Sequence, residues 1–200
     1  MARPRSFDES AVLEAARDLF WLSGYSATSM DEMMAATGLG KGSLYAAFGG
    51  KHQLFLKVFD DYCAGAVRNA ERDLLGNDDE AMTRLIAYVE RLVEATALDD
   101  ARRGCLLANA TAERSRTDEA IVARAKATIE RLEALLASCV SAAQRAGDLD
   151  PDADADQLAA LLLAVLRGVE ALGKAGRDPE TLRSIGATAL ALLPSTTTPR

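Results

Sequence analysis

The chain has 200 residues and a formal net charge of −7, with 49% apolar and only 5% aromatic residues. This length suits one ordinary domain or a small module fused to a larger one, and the abundance of Ala and Leu favours helix over sheet. The three cysteines are widely spaced and show no CxxC or Cys/His ligand spacing, which excludes a disulfide framework and a zinc site.

Apolar runs and the amino terminus indicate where such a protein resides. The first ten residues carry charge but no apolar h-region, so they do not form a signal peptide. The longest purely apolar run, residues 158–166, is far too short to span a bilayer. We therefore expect a soluble, cytoplasmic protein that contacts no membrane and needs no metal or cofactor.

The first two predicted helices follow closely on one another. Apolar residues spaced i, i+3, i+4, i+7 and i+8 from Val12 form the stripe of an amphipathic helix, which ends at Gly24. A polar turn follows, in which Thr28 or Ser29 can cap a second helix over residues 30–37.

A third short helix follows almost at once. Gly38 breaks the chain, the helix runs from about residue 41 to 47, and Gly49 and Gly50 end it. Two short helices around a Gly-containing turn, the second one rich in small residues, are typical of a helix-turn-helix.

Charge is unevenly distributed around this motif. Residues 33–59 contain no Asp or Glu, whereas Lys41, Lys51 and Lys57 all fall inside this stretch. An anion such as a phosphate backbone could approach here, although so small a patch predicts weak binding per subunit. Arg3 and Arg5, ahead of the first helix, could add to this basic surface. The alternative is that they form a basic tail without a role.

The remaining residues predict six more helices and no strand, because no strand-like alternation or internal repeat is visible. We expect an all-α fold of about nine helices. Its helix-turn-helix head takes residues 1–50, a second domain takes 51–193, and a flexible tail takes 194–200. The six later helices are expected at about residues 51–75, 79–97, from 105 onward, 117–146, 156–175 and 179–193.

The helix expected at 156–175 is apolar on nearly every side, which indicates burial all round. In a chain of this size, a partner subunit is the economical way to cover such a helix, with the last helix supplying the neighbouring surface. We therefore expect a two-fold homodimer. The alternative is a helix buried entirely within its own chain.

The region around the helix-turn-helix contains a series of short motifs: Ser29-Met30, Met33-Met34, Thr37-Gly38-Leu39-Gly40, Lys41-Gly42-Ser43-Leu44-Tyr45, Phe48, Lys51 and Leu54-Phe55, with Leu19-Phe20 and Gly24-Tyr25 upstream. In these motifs the chain resembles the TetR/AcrR family of one-component transcriptional regulators. The resemblance is specific over about residues 8–60 and beyond them extends only to the order of elements. It implies that the third helix enters the DNA major groove while the second and fourth hold the backbone.

Carried over position by position, the resemblance implies a set of DNA contacts. Lys supplies a point cation, a Tyr hydroxyl can donate to phosphate, and a Gly allows close approach. Leu44 and Phe48 are expected to hold the third helix against the core. The phosphate contacts would be Ser29, Tyr45 and Lys51, and the contacts to base edges or adjacent phosphates would be Lys41, Gly42, Ser43 and Ala46.

The sequence departs from the family pattern at three of these positions. Gly40 and Gly50 stand where Ser is usual, and Ala47 stands where an aromatic residue or His is common. Gly lacks the oxygen that would accept an N–H bond or touch phosphate. Base readout is therefore expected to be sparse and partly dependent on DNA shape.

The resemblance also implies that the later helices enclose a pocket for a small-molecule effector. Cys105 follows two arginines and opens a helix, so the helix dipole and the guanidinium groups would favour its thiolate. Some family members with a Cys here respond to electrophiles or oxidants, which makes Cys105 a candidate sensor with Lys174 as a basic partner. The alternative is a small buried residue that packs helices, as expected for Cys63 and Cys139. Candidates for the pocket lining are Tyr62, Arg84, Tyr88, Cys105 and Asn109.

We expect a ligand-responsive, DNA-binding transcriptional regulator. The simplest form is a repressor that leaves a palindromic operator when a small-molecule or electrophile effector binds, although activation stays open. The alternative is a helical interaction or adaptor protein that lost sequence-specific DNA binding. An enzyme is not expected, because the single histidine, His52, lies at the head and leaves no nucleophile–base pair elsewhere.

Overall fold

A computed structural model describes residues 7–196, and this part of the chain contains nine α-helices. The predicted all-α fold is confirmed. None of these helices is both long enough and apolar enough to serve as a bilayer span. The helices are α1 Glu9–Ser23, α2 Met30–Thr37, α3 Lys41–Phe48, α4 Lys51–Leu74, α5 Ala81–Ala97, α6 Leu106–Arg114, α7 Glu119–Ala146, α8 Ala155–Lys174 and α9 Pro179–Ala191, with a 3-10 turn at Asp78–Glu80.

Local chemistry sets the limits of the short amino-terminal helices. Asp8 caps α1, and its Oδ1 accepts the backbone N–H of Ser10 at 2.9 Å. Ser29 caps α2 in a capping box, in which its Oγ accepts the Glu32 N–H while the Glu32 carboxylate accepts the Ser29 N–H. Gly38 then takes a left-handed conformation with φ of 68°, which a residue without Cβ adopts at low cost.

The chain forms two compact units. One contains residues up to Cys63 together with Leu106–Ala125, and the other contains Ala64–Cys105 together with the residues from Lys126 onward. Helices α4 and α7 cross these limits and therefore contribute to both units. The domain boundary predicted after residue 50 stays a prediction.

An aromatic cluster forms the core of the first unit. The Phe55 ring of α4 lies edge-on to Phe20 of α1 with ring centroids 4.9 Å apart, and its centroid is also 4.9 Å from that of Tyr25. Leu44 and Phe48 of α3 are buried. Their burial confirms that these two side chains hold α3 in place.

The second unit is an apolar bundle in which α5, α8 and α9 pack together. Gly186 on α9 permits a close approach, since a Cβ added there would lie 2.7 Å from Cγ2 of Val93 on α5. Cys139 is buried in this core, and Cys63 is buried in the first unit, which confirms both predictions. Burying a Val or Leu side chain contributes roughly 1.5–3 kcal/mol, so this bundle supplies much of the stability of its unit.

Helix α8 is not covered on all sides by its own chain. Leu161 and Leu172 on α8 are 58% and 40% exposed, and Leu192 after α9 is 76% exposed. The alternative of a helix buried entirely within one chain is therefore wrong.

The last described residues differ from the expected flexible tail. Pro194 accepts a hydrogen bond from the N–H of Asp150 at 2.8 Å, and the hydroxyl of Thr196 donates to the carbonyl of Gly147 at 2.6 Å. Ser195 forms an isolated antiparallel bridge with Leu149. Residues 194–196 are thus bonded to the loop between α7 and α8, while 197–200 lie outside the described residues.

Candidate nucleic-acid interface

Helix α3 separates its residues into an anchored face and an exposed face. Leu44 and Phe48, four residues apart, lie on the buried side. The exposed side carries the residues predicted for DNA contact: Lys41, Gly42, Ser43 and Tyr45.

Glycines shape both ends of this helix. Gly40 begins α3 without a side-chain hydrogen bond, so the first N–H groups of the helix have no cap from that residue. Gly50 has φ of 113°, and a Cβ added there would lie 3.1 Å from Cε1 of Tyr45. The departure from Ser at position 50 therefore has a packing reason, because Gly50 makes room for the Tyr45 ring.

Ser29 lies at the start of α2 and is exposed. Its hydroxyl donates to Oε2 of Glu32 at 2.8 Å and accepts the Glu32 N–H at 3.1 Å. Its structural role is the helix cap, and a phosphate contact from the same residue stays a prediction.

The two lysines of α4 have different surroundings. The Nζ atom of Lys57 lies 3.3 Å from a carboxylate oxygen of Glu9, whereas Nζ of Lys51 lies 4.3 Å from the centre of the Tyr25 ring. Burial lowers the pKa of Lys51, the Glu113 carboxylate opposes this effect, and the Arg114 guanidinium adds to it. Lys51 is thus held against an aromatic face at the first turn of α4.

Helix α6, the connection after it and the start of α7 also belong to the first unit. The sequence did not predict this. Glu113 accepts two backbone N–H groups from the turn after α1. Oδ2 of Asp118 lies 2.7 Å from Nε2 of His52. No local pattern signals contacts between residues so far apart in the chain.

In the second unit, Cys105 and Tyr88 share two charged neighbours on α8, Arg167 and Glu170. Nη1 of Arg167 donates to Sγ of Cys105 at 2.9 Å and lies 3.1 Å from Oε2 of Glu170. Burial raises the pKa of Tyr88, against the opposing charge of Arg167. Burial also raises the pKa of Glu170, while Arg167 and a hydrogen bond with Cys105 act to lower it.

The guanidinium beside the Cys105 thiol is therefore that of Arg167, which the sequence did not point to. Arg103 Nε donates to Asp99 at 3.1 Å, and the side chain of Lys174 packs beside the backbone of Gly104. The available signal for Arg167 and Glu170 was a pair of charges three residues apart within the otherwise apolar stretch 158–173.

Three of the predicted lining residues remain to be described: Arg84, Tyr62 and Asn109. Arg84 donates from Nε to the carbonyl of Leu74 at 3.2 Å and so braces the connection between α4 and α5. Tyr62 packs edge-on against Trp21 at 5.1 Å in the first unit, where half-buried Asn109 also lies. All five lining residues stay predictions.

Two further expectations concern metals and the amino-terminal cations. Across residues 7–196, no group of three or more His, Cys, Asp or Glu side chains is placed to hold a metal ion. The predicted DNA contacts of Arg3 and Arg5 lie outside the described residues.

Known proteins share this arrangement of head and bundle. The family described as "Bacterial regulatory proteins, tetR family" matches residues 12–58, and "Tetracyclin repressor-like, C-terminal domain" matches residues 81–189. A helix-turn-helix head joined to such a bundle defines a DNA-binding transcriptional regulator. The chain belongs to the TetR family, which is a family of transcriptional regulators and not a class of enzymes.

Individual relatives extend over nearly the whole chain. It is 30% identical over 192 residues to the HTH-type transcriptional repressor ComR of Escherichia coli (strain K12), covering 96% of this chain and 91% of ComR. It is 26% identical over 187 residues to the transcriptional regulator AcuR of Cereibacter sphaeroides, covering 91% and 85% of the two chains. Its structure is similar to a cysteine mutant of the TetR family regulator CifR complexed with 26-bp double-strand operator DNA. That similarity has a TM-score of 0.83 at 28% identity, covering 96% of this chain and 100% of CifR.

Proposed function

We propose that this protein is a homodimeric repressor that binds a palindromic operator and leaves it when a small-molecule or electrophile effector binds. The observation that supports the DNA-binding part of this proposal is the exposed face of α3, on the side opposite the buried side chains of Leu44 and Phe48. The operator complex of CifR supports this use of the head by similarity. The proposed contacts are Lys41, Gly42 and Ser43 to base edges or phosphates, and Ser29, Tyr45 and Lys51 to phosphates.

The proposed effector site contains Tyr88, Cys105, Arg167 and Glu170. Ionisable groups inside an apolar bundle cost free energy unless partners compensate them, so clusters of this kind are candidates for function. The guanidinium of Arg167 beside Sγ favours the thiolate, which is the form that attacks an electrophile. Tyr62, Arg84 and Asn109 remain candidate contacts for the same effector.

Release requires an effector that binds one of two states of the dimer more tightly than the other. We propose that the two states differ in the tilt of α4, because this helix contributes residues to both compact units. A change in tilt would alter the spacing of the two heads and weaken their grip on a palindrome.

The dimer would form through α8 and α9. Leu161, Val165, Gly168 and Leu172 repeat at i, i+4, i+7 and i+11 and so lie along one face of α8. Nothing lies within 4 Å of a Cβ added at Gly168, which leaves room for a partner helix to approach. Two such helix pairs related by a two-fold axis would bury this face as a four-helix bundle.

Selection from a random duplex library by the purified protein tests the DNA-binding half. Fluorescence anisotropy of the selected duplex should show binding that weakens steeply with salt, because phosphate contacts release counterions. Replacing Lys41, Tyr45 and Lys51 together by Ala should abolish that binding. Failure to select any duplex at low salt would favour an adaptor protein over a repressor. A reporter with the selected site across its promoter distinguishes repression from activation, and cytoplasmic location stays a prediction.

A further inference from the structure

The carboxylate of Glu113, in the last turn of α6, holds the backbone of the turn between α1 and α2. The Tyr25 N–H donates to Oε2 at 2.9 Å, and the Ser26 N–H donates to Oε1 at 2.6 Å. Because each oxygen accepts a separate donor, the pair of bonds fixes both the position and the orientation of this turn.

Gly24 makes this contact sterically possible. Its φ is 83°, a conformation that favours glycine, and a Cβ added there would lie 3.0 Å from Oε2 of Glu113. Partial burial acts to raise the pKa of Glu113, but hydrogen bonds from Ser26 and Tyr25, with the charge of Arg114, lower it overall. The carboxylate is thus well suited to stay ionised against the turn.

The ring of Tyr25 in turn contacts two cations. Nζ of Lys51 lies 4.3 Å from the ring centre, and Cζ of Arg114 lies 4.5 Å from it. Cation–π attraction restricts the long Lys51 side chain, which would otherwise sample many rotamers. The backbone that Glu113 holds is therefore the backbone that places the aromatic partner of Lys51.

We propose that Glu113 is a positioning residue for DNA binding: it fixes Tyr25, and Tyr25 places the Lys51 ammonium group for an operator phosphate. This inference rests on the proposed function, in which Lys51 contacts the backbone. The last turn of α6 would then set operator affinity without touching DNA.

The direction in which substitution of Glu113 changes DNA affinity separates a positioning role from a purely electrostatic one. An acidic side chain near DNA repels phosphates, so its neutralisation alone would strengthen binding or leave it unchanged. Loss of a positioning residue weakens binding instead. E113Q removes the charge with little change in size, and E119Q is the matched control. Glu119 is exposed in the first turn of α7, belongs to the same unit and undergoes the same charge change.

The experiment measures Kd over a salt series for the duplex selected by the wild-type protein. E113Q should weaken binding at least about fivefold, whereas E119Q should bind as tightly as the wild type or slightly better. The salt slope should fall by about one for both E113Q and K51A, since both lose the same phosphate contact. In a K51A background, E113Q should change Kd less than about twofold, because the two residues act on one contact.

Circular dichroism and the thermal midpoint of each variant show whether it is folded. Tyr25→Leu provides a second test should E113Q not fold, because it retains the backbone donors to Glu113 but removes the aromatic ring. It should lower the salt slope of DNA binding by the same amount. Equal behaviour of E113Q and E119Q, or full additivity of E113Q with K51A, would overturn the inference while leaving the repressor proposal standing. A wild-type protein that selects no duplex would overturn both.

Discussion

Oδ2 of Asp118 lies 2.7 Å from Nε2 of His52, so the residue that precedes α7 is bonded to the first turn of α4. Oδ1 of the same buried carboxylate accepts the N–H of Ile121 at 3.3 Å, and Arg114 Nη2 lies 3.7 Å from Oδ2. One side chain therefore caps a helix and links two helices of the first unit. The single histidine of the chain thus has a structural partner within the first unit.

Asp118→Asn should lower the free energy of unfolding by about 1–2 kcal/mol at pH 7, because the cap weakens and the bond to His52 loses its charge. Burial acts to raise the pKa of Asp118, but the bonds from His52 and the Ile121 N–H, with the charges of His52 and Arg114, lower it overall. A lowered pKa stabilises the fold above the ordinary pKa of the group, and this stability is lost as pH falls through the lowered value.

The difference between wild type and D118N should therefore shrink on acidification below about pH 4. Urea unfolding at pH 7 and at pH 3 measures it, with Asp79→Asn, at an exposed position of the 3-10 turn, as the control. A difference that stays constant with pH would show that the ionised carboxylate is not the stabilising form.

Lys41→Ala should weaken binding to the selected duplex and lower the salt slope by about one, because one phosphate contact and its counterion are lost. Lys41 is exposed at the first position of α3, the helix proposed to enter the groove. Lys126→Ala is the control, since Lys126 is exposed on α7 in the second unit and carries the same charge. Equal slopes for the two variants would place the DNA on another surface.

Leu161→Asp should convert a dimer into monomers, because it puts a charge into the exposed apolar stripe of α8. DNA binding should weaken by at least about tenfold, since two linked heads bind a palindrome far more tightly than one. Sedimentation equilibrium at micromolar concentration measures the mass. Leu98→Asp serves as the control, because Leu98 is an exposed leucine at the end of α5 and does not belong to α8. A dimer that survives Leu161→Asp would assemble through a different face.

Local patterns were sufficient to predict the helices of the head. Ser29 with Glu32 forms a capping box that can be found from spacing alone, and Gly38 stops α2 where its left-handed conformation is needed. These signals lie within a few residues of the structure they determine. The boundaries of the long helices followed for the same reason.

Contacts between distant residues could not be found in this way. Glu113 and Tyr25 are 88 positions apart, and neither belongs to a spacing pattern that names the other. Arg167 lies 62 positions from Cys105, so the sequence pointed to the adjacent arginines instead. Gly50 departs from the family pattern for a reason that only the neighbouring Tyr45 ring reveals.

Cys105 should react with N-ethylmaleimide at least about tenfold faster than Cys139 at pH 7, although both thiols are buried. Nη1 of Arg167 lies 2.9 Å from Sγ of Cys105 and favours the nucleophilic thiolate. At Cys139, burial raises the pKa despite the opposing charge of Arg84, and the thiol donates to the carbonyl of Ala81 at 3.4 Å. Mass spectrometry of peptides after timed labelling of the native protein gives both rates.

The cause of that difference is tested by Arg167→Gln, which removes the guanidinium charge and should bring the two rates closer together. Arg183→Gln is the control, since Arg183 is exposed on α9 and pairs with Glu94 at 2.7 Å, so its loss removes an ion pair of the same kind. If Cys105 labels no faster than Cys139 in the wild type, Cys105 is a packing residue. The proposed bond between the effector and the sulfur of Cys105 would then be excluded.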